Sequence, residues 1–157
     1  VNSKSFPFNF ETRKKMLESV FGNSITVSLN YSFQAPFKKY FPPLISLKSW
    51  SLRKQILQGI ESDYFTYTGD KAEGLMLKLY RLNPKIGVRK SVSATDVKNK
   101  MYEVAKGNES EWEKYMPEGI VQIINENWET VRKFASTEDM TKRIAGMKFP
   151  KEGYDSK

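Results

Sequence analysis

Ser93, Thr95 and Lys98 are the side chains in this sequence whose types and spacing best suit binding chemistry. They lie in the segment VSATDVK (92–98), where the S-x-x-D pattern is typical of a helix N-terminus. The free backbone N–H groups and the dipole of such an end attract anions, and two hydroxyls and an ammonium would add donors for a phosphate. The same pattern also fits simple helix capping, so the residues alone leave both interpretations open.

Composition narrows the chemistry further. The chain has 157 residues and a net charge of +8, with scattered Lys and Arg, which fits a phosphorylated small molecule or a nucleic acid and favours neither. It contains no His and no Cys, so any catalysis must use carboxylates, Lys, Arg, hydroxyls or a bound cation. No apolar run approaches the roughly 20 residues of a membrane span, and the first ten residues do not resemble a signal peptide. We therefore expect a cytoplasmic protein that does not enter a membrane.

Alternating helices and strands are expected to position these residues. This order predicts a Rossmann-like, doubly wound parallel sheet in an α/β fold, with helices on both faces and a C-terminal helical segment. We expect one domain over 1–145 and a polar tail over 146–157. The predicted helices cover 10–21, 50–60 with Ser49 as N-cap, 71–82, a stretch from Ser93 to Gly107, one beginning at Pro117 and one at 128–135; the predicted strands cover 24–29, 64–68 and 85–88.

Ligands of such a sheet bind beyond the carboxyl ends of its strands. The loop at 30–48, the turn containing Gly69 and Asp70, and the turn at 89–93 all follow predicted strands. The long loop carries three prolines and five aromatic residues, which indicates an ordered active-site or interface loop. Asp70 equally fits a turn residue or the N-cap of the next helix.

Several stretches together resemble a known family. VSATDVK is similar to the I-S-x-T-x-x-R signature of the nucleotidylyltransferase superfamily, with Val92 in place of Ile and Lys98 in place of Arg. Other segments resemble the archaeal-type nicotinamide-nucleotide adenylyltransferases, and their shared order and spacing carry the resemblance over roughly 5–135. These segments are FPFNFETRKKM (6–16), LKSWSLRKQI (47–56), the Thr68-Gly69-Asp70 turn and YMPEGIVQIINENWETVRKFA (115–135).

The resemblance implies an enzyme of NAD synthesis. It would move AMP from ATP to a phosphorylated nucleotide such as nicotinamide mononucleotide and release pyrophosphate, with Mg²⁺ held mainly by the phosphates. Because Lys98 lacks the planar fork of an arginine, phosphate binding is expected to be weaker than in the family. The residues implied are Arg13, Ser93, Thr95 and Lys98 for ATP phosphates, Trp50 for stacking on the nicotinamide ring, and Gly69 and Asp70 for substrate binding.

Each of these roles has a structural alternative. Arg13 also fits a solvated residue in an RKK run, and Trp50 also fits a half-buried aromatic at a helix start. The family's catalytic H-x-G-H motif, which precedes the stretch matched by FPFNFETRKKM, has no counterpart here, so we assign no catalytic residue. Three explanations are expected: an N-terminal strand–helix unit is missing from this chain, a second chain supplies it, or the protein is a degenerate relative of the family.

Two other function classes are kept open. The first is a non-catalytic relative that binds a nucleotide without releasing pyrophosphate. The second is a basic nucleic-acid-binding protein, which is less favoured because no recognised motif supports it. Nucleotides are the expected small-molecule partners, and a homo-oligomer is left open.

Overall fold

The computed structural model describes residues 3–29, 43–88, 91–144 and 147–150. The chain divides into two compact units: the first comprises Val1, Leu29–Arg89 and Thr141–Lys157, and the second Asn2–Ser28 and Lys90–Met140. In chain order the elements are α1 (Phe10–Phe21), a 3₁₀ turn (Gly22–Ser24), α2 (Leu47–Ile56), β1 (Thr66–Thr68), α3 (Lys71–Leu79), β2 (Pro84–Ile86), α4 (Ala94–Ala105), a 3₁₀ turn (Glu113–Tyr115), α5 (Glu118–Glu126), α6 (Trp128–Ala135), β3 (Thr141–Ile144) and β4 (Met147–Pro150).

The second unit is helical, and local capping sets the limits of its helices. The side chain of Asn9 accepts a hydrogen bond from the Thr12 N–H at 2.8 Å and so begins α1. Gly22, with φ at 53°, ends α1 in a conformation that other residues rarely adopt. Pro117 precedes α5, and its backbone carbonyl accepts the N–H of Val121 at 3.1 Å. The predicted helices at 10–21 and 128–135 are therefore confirmed.

The core of the second unit is built from α4, α5, α6 and the residue before the second 3₁₀ turn. Trp112 is fully buried and its ring stacks on that of Trp128, with 5.9 Å between the centroids. Because buried apolar area is the main stabilising contribution, these residues hold the unit together. The buried members of the core are Val97, Met101, Tyr102, Trp112, Ile124, Val131 and Ala135.

The first unit contains a strand–helix–strand arrangement. β1 and β2 pair in parallel, with Thr66 opposite Pro84 and Thr68 opposite Ile86, and α3 connects them. Its buried apolar residues are Leu52, Tyr80 and Leu82. β3 and β4 form a separate antiparallel hairpin assigned to the same unit.

The mixed α/β class is confirmed, but the doubly wound sheet is not formed by the described residues, where the only parallel pair is β1–β2. The predicted strand at 24–29 is wrong: Ile25 is extended, at φ −133° and ψ 154°, yet 25–29 pairs with no described strand. An extended segment becomes a strand only where a second segment pairs with it through backbone hydrogen bonds. Local sequence does not reveal whether such a partner lies alongside.

Two further predictions needed correction. The predicted cap at Ser49 is wrong, because α2 begins at Leu47 and its N-cap is Ser46. The hydroxyl oxygen of Ser46 accepts a hydrogen bond from the Ser49 N–H at 3.1 Å, and Ser49 itself is fully buried inside the helix. The β3–β4 hairpin was not predicted, and β4 lies within the expected polar tail. Parts of three predicted segments lie outside the described residues: 30–42 of the long loop, 89–90 of the turn at 89–93, and 146 and 151–157 of the tail.

Candidate functional site at the start of α4

Ser93 begins α4 and closes a reciprocal cap with Asp96. Its backbone is extended, its Oγ accepts from the Asp96 N–H at 3.2 Å, and its hydroxyl donates to Asp96 Oδ2 at 2.6 Å. One amide of the first turn is thereby satisfied by the protein itself. The capping interpretation of Ser93 is confirmed.

The two amides ahead of Asp96 have no partner in the part of the chain that the structure describes. Within the described chain the backbone N–H groups of Ala94 and Thr95 form no hydrogen bond, and neither does the Thr95 hydroxyl. Both residues are exposed. The helix end therefore presents two backbone donors, one hydroxyl and the positive end of the helix dipole to solvent, a combination that suits an anion.

Lys98 lies one turn further on and has a structural partner. Its Nζ donates to the backbone carbonyl of Ser5 at 2.6 Å, 93 residues away in the chain. A phosphate at the start of α4 would share this ammonium with the Ser5 carbonyl, since an ammonium has three donors. The carbonyl partner was not predicted, because no local signal pairs positions so far apart.

The Ser3–Phe6 turn carries several further contacts. The Tyr102 hydroxyl donates to the Lys4 carbonyl at 2.7 Å, and the Ser5 hydroxyl contacts both carboxylate oxygens of Asp139 at 2.9 Å. Burial, and to a lesser extent the negative charge of Asp139, raise the pKa of Tyr102 well above its usual range. The turn is thus tied to α4 at two positions, Lys98 and Tyr102.

Arg13 lies in the same unit as Ser93, on α1. It is exposed, and its guanidinium forms no hydrogen bond or ion pair with the described residues. Arg13 is therefore accessible to a ligand from solvent.

Gly69 and Asp70 follow the carboxyl end of β1 in the first unit. Asp70 Oδ1 accepts from the N–H groups of Ala72 at 2.8 Å and Glu73 at 3.1 Å, so Asp70 is the N-cap of α3. The Thr68 hydroxyl donates to Glu73 Oε2 at 2.5 Å and accepts from the Asp70 N–H at 3.1 Å. Gly69 is exposed, with open space around it. The capping alternative for Asp70 is confirmed.

Trp50 also belongs to the first unit. It lies in the second turn of α2 and is 42% exposed, so a large part of its indole is accessible to a ring of a ligand. Trp50, Gly69 and Asp70 fall in the first unit, while Arg13, Ser93, Thr95 and Lys98 fall in the second.

The described residues contain no group of three or more His, Cys, Asp or Glu side chains that could hold a metal ion. Asp96 and Glu73 each bond to a neighbouring hydroxyl instead. Among the helices described, none combines the length and the apolar character needed to cross a bilayer.

Comparison with known proteins gives no relative: no family model, no curated protein and no solved structure matches this chain. The resemblance to nucleotidylyltransferases accordingly stays a prediction from the sequence.

Proposed function

We propose that this chain binds ATP through the N-terminus of α4 and takes part in adenylyl transfer to a nucleotide monophosphate such as nicotinamide mononucleotide. The observation that carries the proposal is the pair of exposed amides at Ala94 and Thr95, which have no hydrogen-bond partner among the described residues, next to the exposed Thr95 hydroxyl. Polyphosphates are held at helix ends of this kind by backbone donors and by the helix dipole. The sequence resemblance supplies the reaction class.

In this reaction an oxygen of the nucleotide's phosphate attacks the α-phosphorus of ATP. The bond from that phosphorus to the bridging oxygen of the β-phosphate breaks, and pyrophosphate leaves. Because the attacking phosphate is already an anion, the protein contributes mainly positioning and positive charge. ATP would bring Mg²⁺ with it, coordinated chiefly by phosphate oxygens and water.

The remaining candidates receive roles within this proposal. Ser93 shapes the helix end, Thr95 adds a hydroxyl donor, and Lys98 and Arg13 add positive charge for the phosphates. In the first unit, Trp50 offers an exposed indole for stacking on the nicotinamide ring, and Gly69 and Asp70 form the turn for the second substrate.

Replacing Ala94 with proline tests the open amides directly. Ala94 is the first residue of α4, where proline is well tolerated, and Ser93 at φ −105° and ψ 149° already has the backbone that precedes a proline. The variant therefore removes one N–H donor and leaves the helix intact. Losing a hydrogen bond to a charged phosphate costs about 1.5–3 kcal/mol, so we expect ATP·Mg²⁺ to bind roughly 10- to 100-fold more weakly by calorimetry.

Glu118→Pro is the matched control, because Glu118 is the first residue of α5 and its preceding residue has ψ at 145°. The control should bind ATP like the wild type; equal affinity in the Ala94→Pro variant would refute the site. Measuring pyrophosphate release with nicotinamide mononucleotide separates an enzyme from a non-catalytic nucleotide-binding relative. Binding to DNA or RNA that weakens steeply with salt, without ATP binding, would favour the nucleic-acid alternative.

A further inference from the structure

A groove of about 690 Å³ lies along α3 and β2 in the first unit, and none of the described residues that line it is assigned to the nucleotide. Its described lining includes Lys71 and Lys78 from α3 and Arg81 from the turn that follows, and it includes no carboxylate among those described residues. None of the three cations forms an ion pair with a described residue. Among the described residues, the groove therefore carries three positive charges that no carboxylate balances.

The floor of the groove is apolar and accessible. Leu75 and Ile86 line it and are 58% and 52% exposed, and Pro84 lies beside Ile86 at the start of β2. Gly74 allows α3 to approach the strand, because a Cβ there would lie 2.7 Å from the Ile86 Cδ1 atom. The groove thus offers both apolar area and positive charge.

The backbone that carries Arg81 is held in a fixed, costly conformation. Arg81 and Asn83 have φ angles of 53° and 47°, in the left-handed region that non-glycine residues rarely adopt. Arg53 Nε donates to the Tyr80 carbonyl at 3.0 Å, and Asn83 Nδ2 donates to the Tyr64 carbonyl at 2.8 Å. These two hydrogen bonds stabilise the backbone on both sides of the turn. Strained backbone conformations of this kind are often found at binding sites.

We propose that this groove docks an acidic peptide segment of a partner protein, in which carboxylates alternate with apolar side chains. The carboxylates would meet the three cations, and the apolar side chains would cover Leu75 and Ile86. Lys71 and Lys78 lie seven residues apart on α3, about 10 Å along its axis. Carboxylates two residues apart on an extended peptide are about 7 Å apart, and the long lysine side chains can take up the difference. A nucleic-acid backbone matches the charge but supplies no apolar side chains for the floor.

A fluorescein-labelled peptide of six Glu-Leu repeats is the probe, read by fluorescence anisotropy with the full chain. The test variant combines Lys71→Gln, Lys78→Gln and Arg81→Gly, and the glycine also relieves the left-handed backbone at Arg81, so folding is favoured. We expect this variant to bind at least tenfold more weakly than the wild type. Absence of wild-type binding at millimolar protein would overturn the proposal.

Two comparisons separate docking from general charge attraction. Replacing Lys15, Lys106 and Lys133 of the second unit with Gln removes the same charge and should leave binding unchanged. Leu75→Ser keeps every charge, alters a residue that is already exposed, and should weaken the Glu-Leu peptide at least threefold, with little effect on a Glu-Ser peptide. Three outcomes would each contradict peptide docking. The first is an equal loss of binding in both triple variants, and the second is unchanged binding in Leu75→Ser. The third is displacement of the peptide by a single-stranded oligonucleotide at equal charge concentration. If the groove variant loses peptide binding but still binds ATP, the result bears on the groove and not on the proposed nucleotide site.

Discussion

Removing the Tyr102 hydroxyl should destabilise the second unit by a measurable amount. Tyr102 is only 2% exposed, and its hydroxyl donates to the Lys4 carbonyl at 2.7 Å. Tyr102→Phe removes this single oxygen and keeps the ring in the core, so the Lys4 carbonyl loses a buried donor. Such a loss costs about 1–3 kcal/mol. With a urea dependence of about 1–3 kcal/mol per M, the unfolding midpoint should fall by about 1 M.

Tryptophan fluorescence can follow this unit selectively. The chain has three tryptophans, and only Trp50 lies in the first unit, so a Trp50→Phe background leaves Trp112 and Trp128 as reporters. Trp112 is fully buried and stacked on Trp128, so its emission should change on unfolding. Tyr115→Phe is the matched control, because Tyr115 is 38% exposed and its hydroxyl has no partner among the described residues.

Tyr102 also makes the stability of the second unit depend on pH. Because its pKa is raised in the folded chain, Tyr102 keeps its proton above pH of about 10, where the unfolded chain loses it. The stabilisation is therefore fully present below pH of about 10 and declines as the pH rises beyond it. Wild type should lose stability more steeply than Tyr102→Phe in that range. Identical urea midpoints for Tyr102→Phe and Tyr115→Phe at pH 7 would refute the buried hydrogen bond.

Two shorter predictions concern the candidate nucleotide site. Trp50→Ala should weaken binding of nicotinamide mononucleotide far more than binding of ATP, because only the former would stack on the indole; equal losses by calorimetry would count against stacking. Ser93→Ala removes the cap of α4 and should lower the stability of the second unit by about 1 kcal/mol in urea. An unchanged midpoint would mean that Asp96 or solvent replaces the Ser93 oxygen.

Local structure followed from local chemistry. Ser93 begins its helix as predicted, and Asn9 caps α1 in the same way, because an N-cap side chain bonds to an amide only three residues away. The mixed α/β class was also predictable from the apolar periodicity. The cap of α2 was misplaced by three residues, since Ser46 and Ser49 are equally suitable by type and only the helix start distinguishes them.

The sequence by itself determined where α1 and α6 lie, the N-cap of α4 at Ser93, the absence of His and Cys, and the resemblance from which the nucleotide proposal comes. Tertiary structure decided which extended segments pair, so 25–29 is no strand while β3 and β4 form an unpredicted hairpin. It also brought Lys98 to the Ser5 carbonyl and three cations to one apolar groove. The reason is physical: a cap forms between neighbours in the chain, whereas strand pairing and buried bonds join residues that meet only when the whole chain packs.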